Sequence, residues 1–215
     1  EGPGHCQDSY RILYESGMAD IVHQSRSRFI DINYEDVFEV DNIVRSSRLK
    51  RLFLPQVLKE ADLVVSMAKM KTHHWSGVTL SMKNLFGLMP GSYYGWPKNV
   101  LHWAGLEEAI IDINGAVKPD LAIIDGIVGM EGDGPIMGTP KDARVLVVGK
   151  NCPATDATCA RIMGIDPYRV KYLARSNRWL GPIAEDRIEQ RGELIAAVKN
   201  DFSLVKAIPA HQALL

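Results

Sequence analysis

Apolar positions in this chain gather into short runs bounded by charged or proline-containing turns. Three runs read as strands: Ala61-Asp-Leu-Val-Val-Ser-Met-Ala68, Leu121-Ala-Ile-Ile-Asp125 after a Lys-Pro-Asp turn, and Arg144-Val-Leu-Val-Val-Gly149 after Pro140-Lys-Asp. Nearly continuous apolar strands suit a sheet covered on both faces. A weaker strand is predicted at 29–33. Elsewhere the spacing turns helical: over 8–17, closed by Gly17; over 77–88; over 106–117; and over 153–163, which opens on Pro153 and closes on Gly164. Another helix is predicted to begin at Asp166-Pro167, with Asp166 as N-cap. Past Asn177 the pattern fades, and 186–192 reads as strand or loop. The alternation predicts an α/β fold, a mostly parallel or mixed sheet with helices on both faces. One domain spans 1–215, with 178–215 as a less regular C-terminal extension.

Composition narrows the class. With 46% hydrophobic and 24% charged residues, disorder and coiled coil are excluded. The net charge of −1 argues against nucleic acid as a partner. The longest uncharged stretch, 84–97, is broken by Gly87, Pro90, Gly91 and Gly95, so no membrane partner is expected. No signal peptide is evident, although the opening Glu-Gly-Pro-Gly-His reads like the middle of a longer protein. Cys6, Cys152 and Cys159 form neither a disulfide framework nor a CxxC motif, which points to reduced thiols in the cytoplasm. Cys159 lies in an apolar helical run and is expected in the core.

Charge is partitioned sharply along the chain. From Leu63 to Leu106 there is no Asp or Glu, while Lys69, Lys71, Lys83 and Lys98 give a local net of +4, with His73, His74 and His102 beside them. From Glu107 to Asp142, eight acids against two lysines give −6. The segment Lys69-Met-Lys-Thr-His-His-Trp75 leaves the end of a predicted strand, where open α/β sheets bind ligands. A helix N-terminus near 77–79 would offer free N–H groups to an anion. Lys69, Lys71, His74, Lys83 and Asn84 are therefore candidate ligand-binding residues, with His73 and Lys71 as candidate catalytic groups. A solvated basic loop is the alternative.

The segment 125–140 carries glycines at 126, 129, 132, 134 and 138, which allow close backbone approach to a ligand. Gly132 and Gly134 are candidate binding positions. Asp125, Glu131 and Asp133 are candidate oxygen ligands for a divalent metal, or one of them a general base. A mobile surface loop with water-facing acids is the competing account. Asp156, in the first turn of a predicted helix, is explained by the helix dipole alone. Asn84 is unusual within a helix and suggests a buried polar task.

Several blocks are familiar in wording and order: Ala68-Lys-Met-Lys-Thr-His73, Gly77-Val-Thr-Leu-Ser-Met-Lys-Asn-Leu-Phe-Gly87, Leu121-Ala-Ile-Ile-Asp-Gly126, Met130-Glu-Gly-Asp-Gly-Pro135 and Ala160-Arg-Ile-Met-Gly-Ile-Asp-Pro167. They resemble the DUF362 family, a prokaryotic domain of unknown function, from Glu1 to about Gly181. The resemblance implies that an N-terminal part is missing. Some members carry a ferredoxin-like 4Fe–4S module, but this chain lacks those cysteines, so no iron–sulfur cluster is expected on it. Three functional expectations are weighed, the third being a binding module for a phosphorylated ligand or single-stranded nucleic acid on Lys69, Lys71, Trp75 and Lys83. The first is an enzyme holding a small anionic ligand on Lys71 and Lys83, with His73 transferring a proton and a divalent metal as a candidate cofactor. The second is a non-catalytic redox or metallocentre-assembly protein with a ferredoxin-like partner or a second copy of itself.

Overall fold

Residues of one strand are buried and exposed by turns, and this alternation sets the layering of the molecule. In the computed structural model, which describes residues 2–215, the chain runs α1 (Ser9–Glu15), α2 (Met18–Gln24), β1 (Val37–Asp41), β2 (Arg51–Pro55), β3 (Val65–His73) and β4 (Gly77–Thr79). It continues through α3 (Ser81–Asn84), α4 (Gly91–Tyr94), α5 (Asn99–Val117), β5 (Leu121–Glu131), β6 (Thr139–Lys141), β7 (Val145–Gly149), α6 (Cys152–Ile162), α7 (Lys171–Ser176), α8 (Ile195–Val198) and α9 (Pro209–Gln212). The fold is α/β with a mixed sheet, in line with the alternating pattern of the sequence.

β5 is the central strand. β3 runs parallel to it, in register from Val65↔Leu121 to Lys69↔Asp125, and β7 runs antiparallel on its other side, from Ala122↔Gly149 to Gly126↔Val145. β6 continues that side further along, with Glu131 opposite Thr139. The parallel pair is joined by a crossover containing α5, whereas β5 returns to β7 through only a turn and β6. A parallel return needs a crossover of a dozen or more residues, usually helical, and the chain has none there. β1 and β2 form a separate antiparallel ribbon; the strand expected at 29–33 is absent, and these two were not evident in the apolar pattern.

On the inner side of the sheet, Ala68, Met70, Thr72, Ala122 and Ile124 are buried against Met82, Ile110, Ile113 and Ala160 of the helices. Opposite, Met67 is 69% exposed, Leu146 60% and Val148 55%. The helical layer packed on the strands, α3 with α6, thus lies on one face. Coverage of both faces, expected from the apolar strands, is not found among the described residues. No helix among them is long and apolar enough to cross a membrane.

Two buried carboxylates join the layers. Asp112 of α5 accepts from the backbone N–H groups of Ser46 (2.7 Å) and Ser47 (2.8 Å) and from Asn42 Nδ2 (2.7 Å), tying down the turn of the β1–β2 ribbon. Asp156 of α6 accepts from Ser81 N (2.8 Å), Ser81 Oγ (2.5 Å) and Met82 N (3.0 Å), and so caps α3 from another helix. Its role is more than a favourable dipole on its own helix. Cys159 is buried beside it, and burial pushes that thiol well above its ordinary pKa, as expected of a core cysteine.

The segment after Asn177 is irregular but integral. Phe202 and Leu214 join the core, Phe202 N donates to Met163 O (2.9 Å), and Gly132 N donates to Ser203 O (3.0 Å). Replacing Asp156 by Ala leaves three buried donors without an acceptor. We expect a loss of about 3 kcal/mol in urea unfolding, with Asp156→Asn, which keeps one acceptor oxygen, costing less.

Candidate functional site

The helix expected over 77–88 is a hairpin strand followed by a short helix. Gly77 adopts φ +80°, a conformation that β-carbon-bearing residues rarely take, and this turns the chain so that β4 pairs back on β3. The first free N–H groups of a helix therefore lie at Ser81 and Met82, not near 77–79, and Asp156 already occupies them. An incoming anion must be held by side chains instead.

Those side chains converge. Lys69, Lys71 and His73 alternate with buried Met70 and Thr72 on β3, and Lys83 comes from α3. Lys83 and Lys71 both act electrostatically on His73, and Lys71 acts on Lys83. Burial first, and Lys71 second, push the Lys83 ammonium down to about 8. Burial also lowers Lys71. Lys83 Nζ sits 4.0 Å from the centroid of the Phe86 ring. Phe86, His102, Trp75, His74 and His73 form a continuous wall, with successive ring centroids at 5.2, 5.2, 4.9 and 5.1 Å. A recess of about 400 Å³ adjoins it, bounded by Trp75, His102, Leu106, Glu107 and Glu108.

His73 is held as a neutral ring. Its Nδ1 accepts from Trp75 N (3.0 Å) and Ser76 N (3.4 Å), so the proton resides on Nε2. Burial, followed by the charges of Lys83, His74, Lys71 and His102, drives its pKa down to about 2. A ring in this state is a hydrogen-bond donor at Nε2. His102 is arranged the other way. Its Nδ1 donates to Lys98 O (3.0 Å), leaving the Nε2 lone pair available.

The 132–135 turn borders the end of β3; Gly132 takes φ +79° with open space at its β-carbon position, whereas Gly134 is close-packed. His74 N donates to Gly134 O (2.8 Å) and Thr72 Oγ1 to Gly132 O (2.7 Å). A β-carbon on Gly134 would stand 2.1 Å from Thr72 O. Lys71 Nζ reaches Pro135 O at 3.5 Å. The structure takes other candidates away from the cluster. Lys69 is engaged by Asp125 at 2.5 Å, and Asn84 Nδ2 is spent on Ser66 Oγ and Met67 O, both 3.1 Å away. Lys98 is buried against Asn33 Oδ1.

The three candidate metal ligands do not share a site. Asp125 pairs with Lys69, Glu131 with Lys141 (3.4 Å) and Ser203 N (2.8 Å), and Asp133 approaches His74 (3.6 Å). No group of three His, Cys, Asp or Glu residues able to hold a metal is found among the described residues. β5 continues as a strand to Glu131, so these acids are spread along and beyond it rather than gathered in a loop.

The remaining acids of 107–142 are equally committed. Glu107 faces Lys171 (3.5 Å) and Arg175, Glu108 faces Arg175, Asp120 accepts from Val64 N (2.9 Å), and Asp142 pairs with Arg144 (2.7 Å). Lys71 and Lys83 are consequently left with no carboxylate within ion-pair distance among the described residues. A cleft of about 530 Å³ lies elsewhere, between β7, α6 and 187–193. Of its charged lining residues, Arg144 pairs with Asp142 and Arg191 with Glu189. One contributor escaped the sequence reading. The His211 ring is buried against the His73 backbone; its Nδ1 accepts from Val205 N (3.0 Å), and its Nε2 finds no partner of good hydrogen-bond geometry.

Residues 1–161 match the family profile described as a domain of unknown function, DUF362. This span holds the cluster except for His211. The Thylakoid-associated protein sll1697 of Synechocystis sp. (strain ATCC 27184 / PCC 6803 / Kazusa) is 31% identical over 150 residues, an alignment covering 66% of this chain and 45% of that protein. No solved structure matches significantly.

The state of His73 has a thermodynamic signature. Its folded pKa of about 2 lies below the ordinary histidine value of 6.5, so its stabilising contribution is present above pH 6.5 and is lost as pH falls towards 2. Between pH 7 and 5 this amounts to about 2 kcal/mol. His73→Asn keeps an acceptor for Trp75 N but does not titrate. Its urea-unfolding free energy should fall less on acidification than that of the wild type, by roughly this difference.

Proposed function

The chain belongs to the DUF362 family, and from the geometry of its cationic cluster we propose that it binds a small carboxylate or phosphate between Lys71 and Lys83. One observation carries this reading: Lys71 and Lys83, both partly buried, act on one another and have no carboxylate within ion-pair distance among the described residues. A buried charge is costly unless paired, and each nearby acid is already committed to another partner. An anionic ligand supplies the missing counter-charge and raises the pKa values of both lysines on binding.

Around that anion the remaining groups have distinct tasks. His73 offers Nε2–H as a neutral donor, a form suited to polarising an oxygen without adding another full charge. His102, with a free Nε2 lone pair, is the group placed to accept a proton. Phe86 and Trp75 supply apolar walls that limit the ligand to a small body. The reading is therefore an enzyme or binding protein for a small organic anion. Free cysteines at positions 6, 152 and 159 favour a reducing compartment, and we propose the cytoplasm. The Synechocystis relative is thylakoid-associated by name, and a peripheral association of that kind requires no spanning helix.

Titration with lactate, acetate and phosphate, followed by calorimetry and by Trp75 fluorescence, tests the site. Lys71→Met and Lys83→Met should each weaken binding by about tenfold, the loss of one charge-assisted contact. Lys69→Met, on the neighbouring Asp125 pair, should leave affinity unchanged. Equal affinities in all four proteins would overturn the proposal.

A further inference from the structure

We propose that the free edge of β7, with the groove beside it, takes up an extended acidic segment of another protein as an added strand. The inference is independent of the anion site. β7 (Val145–Gly149) pairs with β5 alone. In an antiparallel pair, alternate residues of a strand direct their N–H and C=O groups away from the partner. On β7 no backbone or side-chain hydrogen bond meets those outward groups among the described residues. The cleft of about 530 Å³ touches every residue of β7. Val145 and Val147 pack on the helical side of the sheet, whereas Leu146 and Val148 are exposed on the open side. A cleft that touches both sets lies against the strand's edge, not over either face. α6 and the 187–193 segment supply its other walls.

A free edge beside a helix-walled groove is the arrangement of strand addition, in which main-chain bonds give affinity and pockets for alternate side chains give selectivity. Half-buried Val147, Ala154 and Val198 provide the apolar lining here. Charge decides the occupant. Arg144, Lys150, Arg187 and Arg191 line the groove against Glu189 and Glu193, an excess of positive charge. Arg144 and Arg191 are paired with acids, whereas Lys150 and Arg187 have no carboxylate within ion-pair distance among the described residues. A second copy is disfavoured. In an antiparallel β7–β7 pair centred on Val147, Arg144 of each copy would face Lys150 of the other, and like charges directly opposite one another are destabilising. Charged flanks are an ordinary guard against self-pairing, but such a guard needs no groove. The same flanks attract a foreign strand that carries acids at its ends.

The test is fluorescence anisotropy of labelled heptapeptides on the intact chain, each an alternating Val-Thr core flanked at both ends by Glu, Gln or Lys. The Glu-flanked peptide should bind at least about tenfold more tightly than the Lys-flanked one, with the Gln-flanked peptide between them. Lys150→Glu combined with Arg187→Glu, both at exposed positions, should reverse that order while leaving the circular dichroism unchanged. Methylating alternate peptide amides blocks one edge of the added strand at a time. One of the two alternating patterns should therefore weaken binding by at least about tenfold, and the other should retain it. Hydrogen exchange of the 145–149 amides should slow on binding. Binding that ignores both methylation patterns and vanishes in salt is plain charge attraction and would overturn strand addition. Absence of saturable binding by the Glu-flanked peptide would overturn the proposal outright. Concentration-dependent dimerisation that protects 145–149 without peptide would also overturn it and assign the edge to a second copy.

Discussion

The contact between Asp156 and α3 governs how this molecule presents its chemistry. A helix start left open would attract an anion to the backbone. Here the protein's own carboxylate fills that place, accepting from Ser81 and Met82. α3 is pinned at its start by Asp156 and at its end by Asn84, which holds Ser66 and Met67 of β3. Lys83 lies between those two anchors. Its direction is fixed by buried polar contacts that would be costly to break, so the cationic cluster is preorganised instead of being assembled by flexible surface lysines.

Much of this was legible in the chain. The strands at 121–125 and 144–149 and the helices over 106–117 and 153–163 are present, and the strand expected at 61–68 begins at Val65 and runs on to His73. Partial failures have identifiable causes. Val78, Met82, Leu85 and Phe86 have helical spacing, but the left-handed turn at Gly77 makes 77–79 a strand, because pairing with β3 overrides local periodicity. β5 runs on past Asp125 because its glycines pass close to β3, as Gly129 does to Met70 O, a feature of three-dimensional approach with no sequence period. Strand alternation cannot be told from a run of apolar residues when both sets are apolar, so Met67 and Val148 read as buried although they face outward. The contribution of His211 depends on a long-range return of the chain, and nothing local to it signals the site.

The segregation of acids from bases along the chain has a physical meaning visible only in three dimensions. Five of the eight acids between 107 and 142 pair with cations on α7, β3 and β6 and at Arg144; Asp112 and Asp120 accept from uncharged N–H donors, and Asp133 approaches His74. The fold spends its negative charge on structure and leaves a positive remainder in one place. A molecule with nearly zero net charge thereby maintains a strong local potential, which concentrates anions without making the whole surface sticky towards polyanions.

The return of the C-terminal segment also shapes the order of events in folding. Leu214 packs against Gly77, Ser203 bonds Gly132, and His211 lies against His73, so the C-terminal segment returns to the middle of the chain. Contacts separated this widely must close a long loop before they give any return, and they form late. Helical structure in α5 and α6 relies on near neighbours and forms early. In a refolding chain, completion of the surroundings of His73 would therefore trail the recovery of secondary structure.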